Sequence, residues 1–144
     1  VTEKMNMPIL VGLHLKKNGK VASGESITEI VKKYKSNNWI GLIGACVSLE
    51  IIEKSSYEMS NLNIPFGFKA NLWKVEEPLP VNKFNTAKFY EVGKNPNDTL
   101  GKRDDITNEI FYSFAKSIKE KGANILGGCC NITPEHIKSL SSLK

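Results

Sequence analysis

With 144 residues, 40% hydrophobic and 24% charged content and a formal net charge of +5, the chain has the balance of one soluble globular domain built on a single core. No run approaches the ~18 apolar residues of a membrane span. The basic excess is spread along the chain without the aromatic-interleaved stripe of a nucleic-acid surface, so neither a membrane nor a nucleic acid is an expected partner. The segment "PILVGLHL" is too short for a secretory core and no small-residue cleavage site follows it, which makes a cytoplasmic setting the default. A first residue of Val1 rather than Met points to a fragment or a processed product.

Apolar residues from Ile9 to Leu15, between Pro8 and "KKNGK", predict a buried strand and a turn. In "SITEIVKKY", Ser26 and Glu29 make a capping box, and Ile27, Ile30, Val31 and Tyr34 fall on one face of the helix that follows. "WIGLIGAC" from Trp39 predicts a second strand, and "SLEIIEKSSYEMSNL" a second helix through Leu49, Ile52 and Met59. A third strand is expected in "IPFGFKAN" from Ile64. Between Leu72 and Arg103 comes a polar stretch with Pro78, Pro80 and Pro96; it is too long for a plain connection and is expected to carry function or a lid. "ITNEIFYSFAKSIKEKG" places Ile106, Ile110, Phe111, Phe114 and Ile118 at helical intervals and stops at Gly122. "ANILGG" predicts the fourth strand, and Thr133 with Pro134 supplies an N-cap and a first-turn proline for the last helix.

Four strand–helix units in succession imply parallel strands joined by right-handed crossovers. An eight-stranded barrel needs about 250 residues, so the texture is that of such a barrel at about half its length. A small open sheet of flavodoxin type is the alternative, although no phosphate-binding glycine fingerprint accompanies it.

Cys46 comes directly after "WIGLIGA", and Cys129 with Cys130 comes after the strand that contains "NIL". All three are therefore expected at the carboxyl ends of parallel strands, where both architectures place their active sites. An odd count of three argues against a closed disulfide framework. Three thiolates at about 2.3 Å from one ion would leave a tetrahedral zinc with one open position, the pattern of catalytic sites. Gly127 and Gly128 are expected to let the backbone bend so that both following cysteines face one mouth. On spacing alone, a strained redox pair and small buried residues stay open as alternatives.

"GGCC" followed by "TPEHI", together with the upstream "G-x-C" after a strand and "V-S-x-E" beyond it, resembles the zinc-dependent homocysteine S-methyltransferases. The resemblance spans essentially the whole chain, and "PFGFKANLW" with "LGKRDDIT" is closer to the betaine-using branch. It implies an α/β fold that is the C-terminal half, strands five to eight, of a (β/α)8 TIM barrel. Residues 1–144 would then be a partial homocysteine-binding domain with its N-terminal half absent. The family holds zinc through one cysteine after its sixth strand and a vicinal pair after its eighth. Matched residue by residue, these ligands are Cys46, Cys129 and Cys130. Two departures stand out: Ala45 replaces the usual Asn before the first ligand, and Asn131 replaces the usual Gly after the pair.

The resemblance further implies transfer of a methyl group from an onium-type donor to the thiol of homocysteine, giving methionine. The donor in the family is betaine, S-methylmethionine, S-adenosylmethionine or a methylated folate. The thiol of homocysteine, with a pKa near ~8.5, is mostly protonated at neutral pH, and coordination to zinc favours its thiolate. Glu50, soon after Cys46, is a candidate contact for the substrate amino group, and Asn71, at the end of the third strand, for the lining of the mouth. Trp73, Phe84, Phe89 and Tyr90 are candidates for a cation–π cage around a quaternary ammonium. His14 and His136 have no partner spacing that suggests a ligand or a base and are read as structural. The competing classes are a non-catalytic zinc- or thiol-binding half-barrel and a vicinal-dithiol redox protein; the second normally shows C-x-x-C at a helix start, which is not the spacing here. Homo-oligomerisation stays open.

Overall fold

The computed structural model describes residues 6–75 and 100–143. Four strands, β1 (Ile9–Leu13), β2 (Trp39–Val47), β3 (Phe66–Ala70) and β4 (Ile125–Gly128), form one sheet in the order β1-β2-β3-β4. Every pairing is parallel. Parallel neighbours cannot be joined by a hairpin and need crossovers. The helices described are α1 (Ile27–Tyr34), α2 (Leu49–Ser60), α3 (Asn108–Glu120) and α4 (Pro134–Ser139), with a short 3-10 helix at Leu140–Leu143. The expected run of strand–helix units is thus present, in an α/β arrangement compatible with half of a (β/α)8 barrel.

Local chemistry explains where the helices start and stop. At Ser26 the hydroxyl accepts from the Glu29 amide at 3.2 Å while the Glu29 carboxylate accepts from the Ser26 amide at 2.7 Å, the capping box legible in the sequence. Ser48 and Thr107 cap α2 and α3 in the same way through the amides of Ile51 and Ile110. α3 stops because Gly122 takes φ +99°, a conformation that costs glycine nothing and would strain a residue with a Cβ.

Alternation along β3 sets the two faces of the sheet. Phe66, Phe68 and Ala70 are buried, and Phe68 meets Phe111 edge-on at 6.3 Å and Phe114 at 5.1 Å. Together with Leu42, Ile52, Met59 and Ile118, these rings make the core between the sheet and its helices. Each such side chain contributes about 1.5–3 kcal/mol on burial. The opposite face carries Leu10, Gly12, Ile43, Ala45 and Lys69, and it is open at Leu10, Gly12 and Lys69.

Three expectations are corrected here. β1 ends at Leu13 rather than Leu15; Leu15 is buried and forms an antiparallel bridge with Val21. Tyr34 does not join Ile27 and Val31 in the core: it is the last residue of α1, with no packed turn beyond it, and its ring lies 5.0 Å from Lys33 Nζ. On α3 the buried positions are Phe111, Ala115 and Ile118, while Ile110 is exposed, since a step of one residue swings a side chain about 100° around the helix. Pro78, Pro80, Pro96, Phe84, Phe89 and Tyr90 lie outside the described residues. No helix among the described residues is long and apolar enough to cross a membrane.

Candidate metal centre

Cys46 owes its position to an irregularity in the sheet. Ala45 pairs with Lys69 and Val47 with Ala70, so two steps on β2 answer one on β3 and Cys46 is the extra residue of a bulge. The sequence suggested a cysteine just past the strand; instead it lies inside β2, one residue before its end. Its φ is +56°. For a residue with a side chain the left-handed region costs about 1–2 kcal/mol, and the bulge holds only because its surroundings determine it.

Those surroundings are the last residue of β3 and the two that follow it. The side-chain nitrogen of Asn71 donates to the Cys46 carbonyl at 2.7 Å, and the Asn71 amide donates to the Val47 carbonyl at 3.0 Å. On the other side, the Cys129 amide donates to the Ala70 carbonyl at 2.6 Å, and the Leu72 amide to the Cys130 carbonyl at 3.0 Å. One continuous segment, Ala70 to Leu72, therefore fixes the bulge at Cys46 and the vicinal pair at once.

The expected role of the two glycines is changed. Gly127 and Gly128 belong to β4, and neither has a positive φ; the turn is made instead by Asn131, with φ +63°. Asparagine is among the few residues that tolerate this conformation, which explains how it stands where glycine was expected. Gly128 is needed for close approach: a Cβ there would lie 2.2 Å from Ile132 Cγ2. The side-chain nitrogen of Asn131 is buried without a hydrogen-bond partner among the described residues.

The three sulfurs form a triangle. Cys46 and Cys129 are 3.1 Å apart, and Cys130 is 3.8 Å from each. No disulfide joins them, and each residue is partly buried. A tetrahedral ion with sulfur ligands at ~2.3 Å requires sulfur–sulfur edges of about 3.8 Å, so two edges already match and the third needs a small opening. The group could hold a metal ion.

The electrostatics of the triangle fit a site that prefers a cation. Burial, followed by contacts with Cys129 and Cys130, pushes the Cys46 thiol up to about 12. Burial also raises Cys130, helped by the Cys129 thiol. At Cys129 burial opposes ionisation, but hydrogen bonding by Cys46 and the Cys130 amide, and the charge of Lys69, hold its pKa below the ordinary value. A cation held among the three sulfurs would favour the thiolate form of each, because metal-ligating thiols lose their protons.

The remaining candidates are placed as follows. Glu50, in the first turn of α2, binds Arg103 at 2.5 Å and keeps 53% of its side chain exposed. Arg103 also binds Asp105 at 2.9 Å, and its amide donates to the Leu72 carbonyl at 2.8 Å, which ties Glu50 to the segment holding the cysteines. Burial raises the Glu50 carboxyl, but the Arg103 guanidinium, together with hydrogen bonds from the Glu50 amide and the Ser48 hydroxyl, holds the pKa below the usual carboxylate value. Asn71 is buried, and its side-chain oxygen accepts from the Trp73 amide at 3.3 Å. Trp73 forms an antiparallel bridge with Lys102.

His14 and His136 do not join the cysteines. His14 Nδ1 lies 3.1 Å from the Ala45 carbonyl. His136 Nδ1 accepts from the Thr133 amide at 3.1 Å, which assigns the proton to Nε2, 3.3 Å from the Ile106 carbonyl. Arg103 was missed by sequence reasoning; the charged run "KRDD" was its only signal.

Residues 1–143 match the family model of the homocysteine S-methyltransferases. Among the curated proteins nothing matches the chain.

Proposed function

Because the chain belongs to the homocysteine S-methyltransferase family, we propose that it transfers a methyl group from a small onium-type donor to the thiol of homocysteine, giving methionine. The observation that carries this reading is the triangle of Cys46, Cys129 and Cys130, whose edges suit one tetrahedral ion with an open fourth position. When bound there, zinc would favour the thiolate form of a substrate sulfur at neutral pH.

The chain's own residues do the rest. The Ala70–Leu72 segment holds both halves of the triangle in register, so little reorganisation is needed to present three sulfurs to one point. We assign Glu50 and Asn71 to the substrate side. Glu50 has a half-exposed carboxylate for the amino group, and Asn71 acts through the Cys46 peptide that it anchors. Arg103 fixes the direction of Glu50 and leaves part of the carboxylate free.

We further propose that residues 1–144 form strands five to eight of a (β/α)8 barrel and that the open sheet face is the inside of that barrel. The setting is methionine biosynthesis in the cytoplasm, with betaine the favoured donor. The test is a methylation assay of the full-length protein with homocysteine and each of betaine, S-methylmethionine, S-adenosylmethionine and a methylated folate. Methionine formed from one donor, and abolished by a zinc chelator, is expected. Failure with all four donors in zinc-replete protein would overturn the reading.

A further inference from the structure

Lys69 stands on the open face of the sheet, one residue before the segment that holds the cysteines. Phe68 and Ala70, its neighbours on β3, are buried toward the helices, so alternation directs Lys69 the other way. Its register partners are Ala45 on β2 and Gly127 on β4. Neither brings a polar side chain, and beside Gly127 no side-chain atom of the described residues lies where a Cβ would point.

Among the described strand residues of this face, Lys69 is the one formal charge; the others, such as Leu10, Gly12 and Ile43, are apolar or lack a side chain. No described carboxylate pairs with it. Cys129 follows Gly127 by two residues and so begins on the same face, diagonal to Lys69. A cation with no counter-ion among the described residues, on an apolar face diagonal to Cys129, is suited to an anion that arrives with the ligand.

We propose that Lys69 receives the carboxylate of the thiol amino acid whose sulfur meets the Cys46–Cys129–Cys130 triangle. This rests on the homocysteine reading above. In homocysteine a short aliphatic chain separates sulfur from carboxylate, and the flexible stem of lysine lets its ammonium meet the far end of a ligand anchored through sulfur. The amino group is left for Glu50. Lys69 is then a specificity-determining residue: it selects amino-acid thiols over simple amine thiols.

The test compares Lys69→Met and Lys69→Arg with the wild type, each full-length and zinc-loaded, against two thiols. These are homocysteine and 3-aminopropanethiol, which has the same sulfur and amine but no carboxylate. Calorimetric binding and methylation kinetics are both recorded, along with zinc content. Lys69→Met is expected to weaken homocysteine binding and raise its KM about tenfold or more, to leave 3-aminopropanethiol unchanged, and to keep its zinc. Lys69→Arg should retain most of the discrimination.

Equal changes for the two thiols, no change for either, or loss of zinc from Lys69→Met would overturn the proposal. A wild type that binds homocysteine through Lys69 yet methylates nothing would sustain it and overturn only the methyl-transfer reading. A wild type that binds neither thiol would overturn both.

Discussion

The side-chain amide of Asn71 donates to the Cys46 carbonyl across 2.7 Å and reaches the Cys46 sulfur at 3.9 Å. One buried side chain thus steadies the backbone and the thiol of a residue held in the left-handed region. Asn71→Ala removes both contacts and leaves the bulge to carry its own strain. We expect zinc affinity to fall about tenfold or more, as for other partners that orient metal ligands, with a smaller loss of stability. Competition against a chromophoric chelator measures this. An affinity equal to that of the wild type would show that the bulge does not depend on Asn71.

Asn131 makes the turn after the cysteine pair with φ +63° and buries a side-chain nitrogen that has no partner among the described residues. Asn131→Gly removes the conformational cost and the orphan donor together, against the extra chain entropy of glycine. A net gain of about 0.5–1 kcal/mol is expected, seen as a raised Tm. Asn131→Val, β-branched at a positive φ, should lower stability by about 1–2 kcal/mol. A Tm lowered by the glycine would contradict this account of the turn.

A methyl group at position 128 would collide with Ile132. Gly128→Ala is expected to destabilise by about 1–3 kcal/mol and to disturb the cysteines that follow. Combined with Ile132→Ala, the loss should be less than the sum of the two single losses, because the second change removes the atoms that the first one strikes. Strict additivity in denaturant unfolding would argue that the contact is relaxed some other way.

Sequence periodicity recovered the four strands, the capping box at Ser26 and Glu29, the stop at Gly122, and the gathering of three cysteines at one end of the sheet. Each of these rests on local chemistry or on strand order, which a sequence carries openly. The bulge at Cys46 was not legible, because it is a property of the register between β2 and β3 and not of either strand alone. The same holds for Asn71, which read as a residue lining the mouth; its hydrogen bond to Cys46 spans 25 residues. Tyr34 and Ile110 were assigned to the apolar face of their helices and prove exposed, because helical spacing marks a face without saying how far the packed surface extends along it.

Against the cost of burial, Arg103 and the hydrogen bonds around it hold the Glu50 carboxyl below its ordinary pKa. A depressed folded value means that the pair stabilises the protein fully above the unfolded value of 4.5 and that this contribution is lost as pH falls through the folded value. Glu50→Gln should therefore reduce stability modestly at neutral pH, within the range of partly exposed ion pairs. The difference from wild type should shrink below about pH 4.5. Denaturant midpoints recorded from pH 7 down to 3 test it; a difference that grows toward acid would reverse the assigned sign.

Metal content and methyl transfer, measured together in three single variants of the full-length protein, test the central claim most directly. The triangle of sulfurs predicts about one zinc per chain in the wild type, and a joint loss of zinc and of methionine formation in Cys46→Ser, Cys129→Ser and Cys130→Ser. A Cys46→Ser protein that keeps its full zinc and its full activity would contradict it.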